Sequence, residues 1–158
     1  MKAVTIKELK EELSECAPKD LRDLCLRLAR FKKENKELLT YLLFDSSSEA
    51  LYIEGVKKEL DEQFEEINRE SYRFIKKSFS KILRAIRKYS RYSQKKETEV
   101  ELLVYFCIKL KNFSPSIYKN SGLKNFYEKQ IGAIRKKVSQ LHEDLQYDYN
   151  VELESLSK

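Results

Sequence analysis

Ser71-Tyr-Arg-Phe-Ile-Lys-Lys-Ser-Phe-Ser-Lys-Ile-Leu-Arg-Ala-Ile-Arg-Lys-Tyr-Ser-Arg-Tyr-Ser-Gln-Lys-Lys96 is the stretch on which the fold turns. Tyr72, Ile75, Phe79, Ile82, Leu83, Ile86 and Tyr89 recur at three- and four-residue spacing, which puts them on one face of a helix. Ser71 can cap it, its hydroxyl accepting from a first-turn amide. The pattern predicts an amphipathic helix over residues 72–92. The rest of the chain has the same character. Its 158 residues hold only three Gly and two Pro, about a quarter of average usage. Sheets need turn residues and phosphate-cradling loops need clustered glycines, so this composition argues against both. An all-α fold remains.

Outward from that helix, the same reading places others. A helix over 47–69 has the stripe Tyr52, Val56, Leu60, Phe64 and Ile67, opened by the capping box Ser46-x-x-Glu49. Gly55 within it costs about 1 kcal/mol relative to Ala. Thr98-x-x-Glu101 is a second such box, opening a helix over 99–112 that Ser114-Pro115-Ser116 breaks. Asn120-Ser121-Gly122 leads into a helix over 122–147, where Tyr127, Ile131, Ile134, Val138, Leu141 and Leu145 alternate spacings of four and three. That seam either packs within the chain or joins two copies as a homodimer. Residues 148–158 read as a polar C-terminal tail with a weak Val151, Leu153, Leu156 pattern.

Toward the N-terminus, Thr5-x-x-Glu8 caps a helix over 6–15 with Ile6, Leu9 and Leu13 on one face. Pro18 suits the first turn of the next, which carries Leu21, Leu24, Cys25, Leu28 and Phe31. Asn35 is a candidate N-cap for Glu37-Leu-Leu-Thr-Tyr-Leu-Leu-Phe44, apolar nearly all round and so predicted to be a central buried helix. This octet echoes Glu101-Leu-Leu-Val-Tyr-Phe-Cys-Ile108, 64 residues on, in its Glu, both Leu and its Tyr. Leu39, Tyr41, Leu42, Leu103, Phe106 and Cys107 are the expected core of the two. The expectation is one domain over 1–147, with about seven helices in a small irregular bundle. If the octets mark a duplication, it is a two-unit α-solenoid-like array.

Three stretches resemble a family of short all-helical bacterial proteins of unknown function: Leu24–Phe44, Lys76–Arg84 and Leu141–Tyr149. The resemblance implies an all-helical fold and a bacterial cytosolic setting. It brings no activity with it.

The chain carries few chemical tools. His142 is the one histidine, and a Glu-x-x-His pair fails because residue 139 is Ser. Cys16, Cys25 and Cys107 have no CxxC spacing, and Cys25 and Cys107 lie in apolar runs as small core hydrophobes. Glu54, Glu59, Asp61, Glu62, Glu65, Glu66 and Glu70 read as a solvated acidic face, with a divalent cation as the alternative. No enzyme, cofactor or metal is expected. The longest apolar run, Leu102–Ile108, is seven residues where a membrane span needs about 20. Residues 1–13 lack the apolar core of a signal peptide. The expected place is the cytoplasm, without membrane contact.

Charge points to a partner. The chain is +6 overall, but residues 71–96 hold ten basic side chains and no acidic one. Arg73, Lys77, Arg84, Lys88, Arg91 and Lys95 fall opposite the apolar face, with Arg87, Lys76 and Lys81 flanking. Phe74 and Tyr92 lie at the edge, where they could stack on bases. Residues 45–70 hold nine acids and three bases, so an antiparallel hairpin could balance the two charges intramolecularly. The expectation is a non-catalytic interaction module that binds an unknown protein, with nucleic acid at the basic helix as the alternative. Arg73, Lys77, Arg84, Arg87, Lys88, Arg91 and Lys95 are the candidate contacts for an acidic partner or for phosphate.

Overall fold

The computed structural model describes residues 1–157. Among them it has eight α-helices and no strand. They are α1 (Ile6–Glu15), α2 (Pro18–Phe31), α3 (Lys33–Thr40), α4 (Glu49–Glu65), α5 (Tyr72–Ser93), α6 (Lys96–Lys111), α7 (Ser121–Val138) and α8 (Glu143–Ser157). A π-helical turn over Tyr41–Asp45 and a 3-10 turn over Ile117–Lys119 complete the elements. The chain divides into two compact units, Met1–Phe44 and Asp45–Lys158, so the division falls at 44/45 rather than at 147/148.

In the larger unit α6 is the central helix. Thr98, Val100, Leu102, Leu103, Val104, Phe106, Cys107 and Leu110 are buried, and α4, α5, α7 and α8 all pack against it. A helix apolar on every side needs neighbours on every side. The predicted stripes of α4 and α5 are buried except for Tyr72, which is exposed at the start of α5, and Ile67 is buried just past the end of α4. Phe64, Phe79, Phe106, Phe113 and Phe126 form an aromatic cluster with ring centroids 5.1–6.5 Å apart. Such pairs stabilise beyond the area they bury.

Several local expectations are corrected. The 122–147 helix is two helices, because the chain turns at 139–142 and α8 folds back on α7. Gln146 Nε2 donates to the Leu141 carbonyl at 2.8 Å across that turn. No Gly or Pro marks it, so the pattern carried no sign of it. Residues 148–157 are helical, and Leu153 and Leu156 are buried. Tyr127 Oη donates to the Leu156 carbonyl at 2.8 Å. The seam residues Tyr127, Ile131, Ile134 and Val138 are buried within the chain, and Leu141 and Leu145 are half-buried, so the seam packs intramolecularly. Neither Ser46 nor Thr98 acts as an N-cap. The caps of α4 and α6 are Ser48 and Lys95, and Thr98 is buried inside α6. Glu49 accepts from Thr98 Oγ1 at 2.6 Å and from Ser93 Oγ, tying the start of α4 to the α5–α6 turn.

The smaller unit begins as the sequence predicts. Thr5 Oγ1 accepts from the Glu8 amide, and the Thr5 amide donates to Glu8 Oε2 at 2.8 Å. Pro18 sits in the first turn of α2. Asn35 is no N-cap: it lies inside α3, and its side-chain amide donates to the Leu28 carbonyl at 2.9 Å. The octet Glu37–Phe44 is no central helix. Leu42, Leu43 and Phe44 are 55%, 66% and 72% exposed, and Leu39 is half-buried. Among the described residues of this unit only Tyr41 is buried. Within the unit α3 packs on α2, and one neighbour cannot cover a helix apolar nearly all round. Cys25 is exposed as well, so it is not a core residue.

Candidate nucleic-acid interface

Burial of the apolar face of α5 decides where its charges point. Ile75, Phe79, Ile82, Leu83, Ile86 and Tyr89 are buried, which turns Arg73, Lys77, Arg84, Arg87 and Arg91 outward and exposed. Lys88 is half-buried and lies over the Tyr89 ring, 4.6 Å from its centroid. Over 22 residues at 1.5 Å each, the helix is about 33 Å long.

The turn after α5 adds to this face. Gln94 takes the left-handed conformation, φ 59°, and its amide donates to the Ser90 carbonyl. A non-glycine residue there is uncommon, and it lets α6 begin two residues later. Lys96 therefore opens α6 close to the end of α5. Between α5, the start of α6 and the later turns of α7 lies an open groove of about 830 Å³. Arg84, Arg87, Arg91, Lys95, Lys96 and Lys137 line it. Leu103 and Ala133 give it an apolar portion. Its one acid, Glu99, is held by Lys137 at 2.9 Å. Cations gathered along a concave surface focus a positive potential that attracts anions.

The acidic helix answers this face at one cation, Lys95, through Glu49. Asp61, Glu54 and Glu59 are held by other side chains. Asp61 accepts from Tyr105 at 2.6 Å and pairs with Lys109 at 2.8 Å, both on α6. Burial pushes the Asp61 carboxyl up, but hydrogen bonds from Lys109 and Tyr105, with the Lys109 charge, hold it below the ordinary carboxylate value. Glu54 lies 3.6 Å from Lys57, and Glu59 accepts from Tyr89 Oη. Lys95 is drawn to Glu49 at 3.0 Å. Among the described residues, Arg73, Lys77, Arg84, Arg87 and Arg91 have no carboxylate in ion-pair contact.

The structure thus gathers Arg84, Arg87, Arg91 and Lys95 in one groove, leaves Arg73 and Lys77 on the row leading to it, and sets Lys88 aside. Lys137 was not legible as part of the site, because nothing in sequence brings α7 beside α5. Phe74 is exposed, whereas Tyr92 is half-buried and edge-on to Tyr89, with centroids 6.1 Å apart.

Elsewhere the tools remain dispersed. Among the described residues no group of three His, Cys, Asp or Glu side chains is placed to hold a metal ion. His142 is exposed, its Nδ1 3.5 Å from Asp144. Burial pushes the Cys107 thiol up to about 12, which keeps it protonated and unreactive. No helix among the described residues is long and apolar enough to cross a membrane. No protein-family model, curated protein or solved structure matches this chain.

Proposed function

We propose that the protein is a non-catalytic cytoplasmic module that binds nucleic acid through its phosphate backbone, using the outer face of α5 and the groove beside it. One observation carries this reading: Arg73, Lys77, Arg84, Arg87 and Arg91 reach solvent with no carboxylate in ion-pair contact. An internally balanced face would spend these charges on α4. Guanidinium groups match phosphate oxygens in a two-pronged geometry. Each phosphate contact releases condensed counterions, so binding is driven by charge and is sensitive to salt. Exposed Phe74 offers a ring for an unpaired base.

The test is an anisotropy titration of the full chain with mixed-sequence single-stranded RNA, single-stranded DNA and duplex DNA. With about five phosphates neutralised, affinity should fall roughly 10²–10³-fold between 50 and 200 mM salt. Arg84→Glu, Arg87→Glu and Arg91→Glu combined should abolish binding and leave thermal unfolding nearly unchanged, since exposed charges contribute little to stability. No binding at low salt would sink the reading.

A protein-binding role is the second reading. The exposed apolar side chains of Met1–Phe44 favour it.

A further inference from the structure

The helices α1 and α2 have no buried residue, yet both are amphipathic. Ile6, Leu9 and Leu13 on α1 and Leu24, Leu28 and Phe31 on α2 are all exposed, Leu28 by 60% and Phe31 by 84%. Each set follows a three–four spacing, the seam of a helix that expects a partner. Leu9, Leu13, Leu24, Leu28 and Phe31 line an apolar groove of about 620 Å³ between the two helices. A helix of ten residues is shorter than the roughly 12–15 residues at which an isolated helix becomes even marginally stable. It needs a covering surface.

Charge indicates which surface. The groove is edged by one acid, Glu12 on α1, and one base, Arg27 on α2. Both are exposed, and neither has an ion-pair partner among the described residues. The charges of α1 sum to −2 and those of α2 to +2. A twofold interface requires each patch to complement itself. Here Glu12 of one copy can meet Arg27 of the other, twice, around a shared apolar centre.

We infer that the α1–α2 groove is the interface of a twofold homodimer, in which α1 and α2 of two copies close a four-helix bundle. The apolar stripes supply the seam, and the two Glu12–Arg27 pairs at the rim set the orientation. This inference does not rest on nucleic-acid binding.

Sedimentation equilibrium of the full chain at micromolar concentration should give twice the 18.9 kDa chain mass. Leu24→Glu with Leu28→Glu should give the single-chain mass. Glu12→Arg and Arg27→Glu, surface changes that leave the helices intact, should each weaken the dimer by about tenfold or more through like-charge contact. Combined, they should restore it to within about threefold of the original by exchanging the two signs. Three results would each overturn the inference. One is a single-chain mass for the unaltered protein at high micromolar concentration. Another is a dimer indifferent to the leucine changes. The third is a double charge exchange no tighter than either single change.

Discussion

Glu37–Phe44 and Glu101–Ile108 share a composition and end in opposite surroundings. In the second, Leu103, Phe106 and Cys107 are buried on a helix that four others enclose. In the first, the positions that correspond to Phe106 and Cys107 are Leu42 and Leu43, both exposed. The tyrosines differ in the converse way. Tyr41 is buried, while Tyr105 stands half-exposed and donates to Asp61. Even the local geometry diverges, since the first octet leaves the α-helix for a π turn at Tyr41 and the second is α-helical throughout. An apolar helix becomes a core only when enough other helices come to it. The larger unit gathers four around α6, and within the smaller unit α3 has α2. The echo between the octets therefore marks no repeated packing unit.

The contrast can be broken most directly by truncating one leucine in each octet. Leu103→Ala should lower unfolding free energy by about 2–5 kcal/mol, the range for emptying a closed core site. Leu43→Ala should change it by less than about 0.5 kcal/mol, as exposed substitutions do. Urea unfolding followed by circular dichroism measures both, and equal losses would mean that the two octets are packed alike.

A second way uses pH, because Tyr105, Cys107 and Tyr149, which all hold their protons more tightly than usual, belong to the larger unit. Burial first, and then the neighbouring Asp61, pushes the Tyr105 phenol up to about 12. Burial and the nearby Glu101 and Glu97 do the same to Tyr149, and burial alone raises Cys107. A group whose value rises on folding contributes stability that is full below its unfolded value and is lost as pH climbs through its folded one. The urea midpoint should therefore hold from pH 7 to 9 and fall steadily as pH rises from about 9 to 12. An unchanged midpoint at pH 11 would show that these side chains are not packed as described.

The smallest expected effect sharpens the account of the larger unit. Gly55 is exposed within α4, and a β-carbon added there meets nothing within 4 Å. Gly55→Ala should stabilise by about 0.5–1 kcal/mol through helix propensity. Destabilisation in a thermal scan would reveal a close approach that the fold does not show.

Local rules carried far along this chain. The caps at Thr5 and Ser71, the first-turn Pro18, the stripe of α4 and all but Tyr72 of the stripe of α5 were legible, because each depends on residues within a few positions. So was the basic row from Arg73 to Arg91, since the apolar face opposite it fixes its direction. What the sequence could not determine depends on contacts between distant segments. Ser46 and Thr98 fit a capping pattern, but Glu49 is drawn instead to Ser93 and Thr98, 44 and 49 residues away. The 122–147 seam is interrupted where α8 turns back to bury Leu153 and Leu156, with no breaker residue to announce it. Tertiary structure alone decided that α4 gives Asp61 to α6 and leaves the arginines of α5 open. It alone brought Lys137 into their groove. Periodicity records which face of a helix seeks burial, and the arrangement of the other helices decides which faces find it.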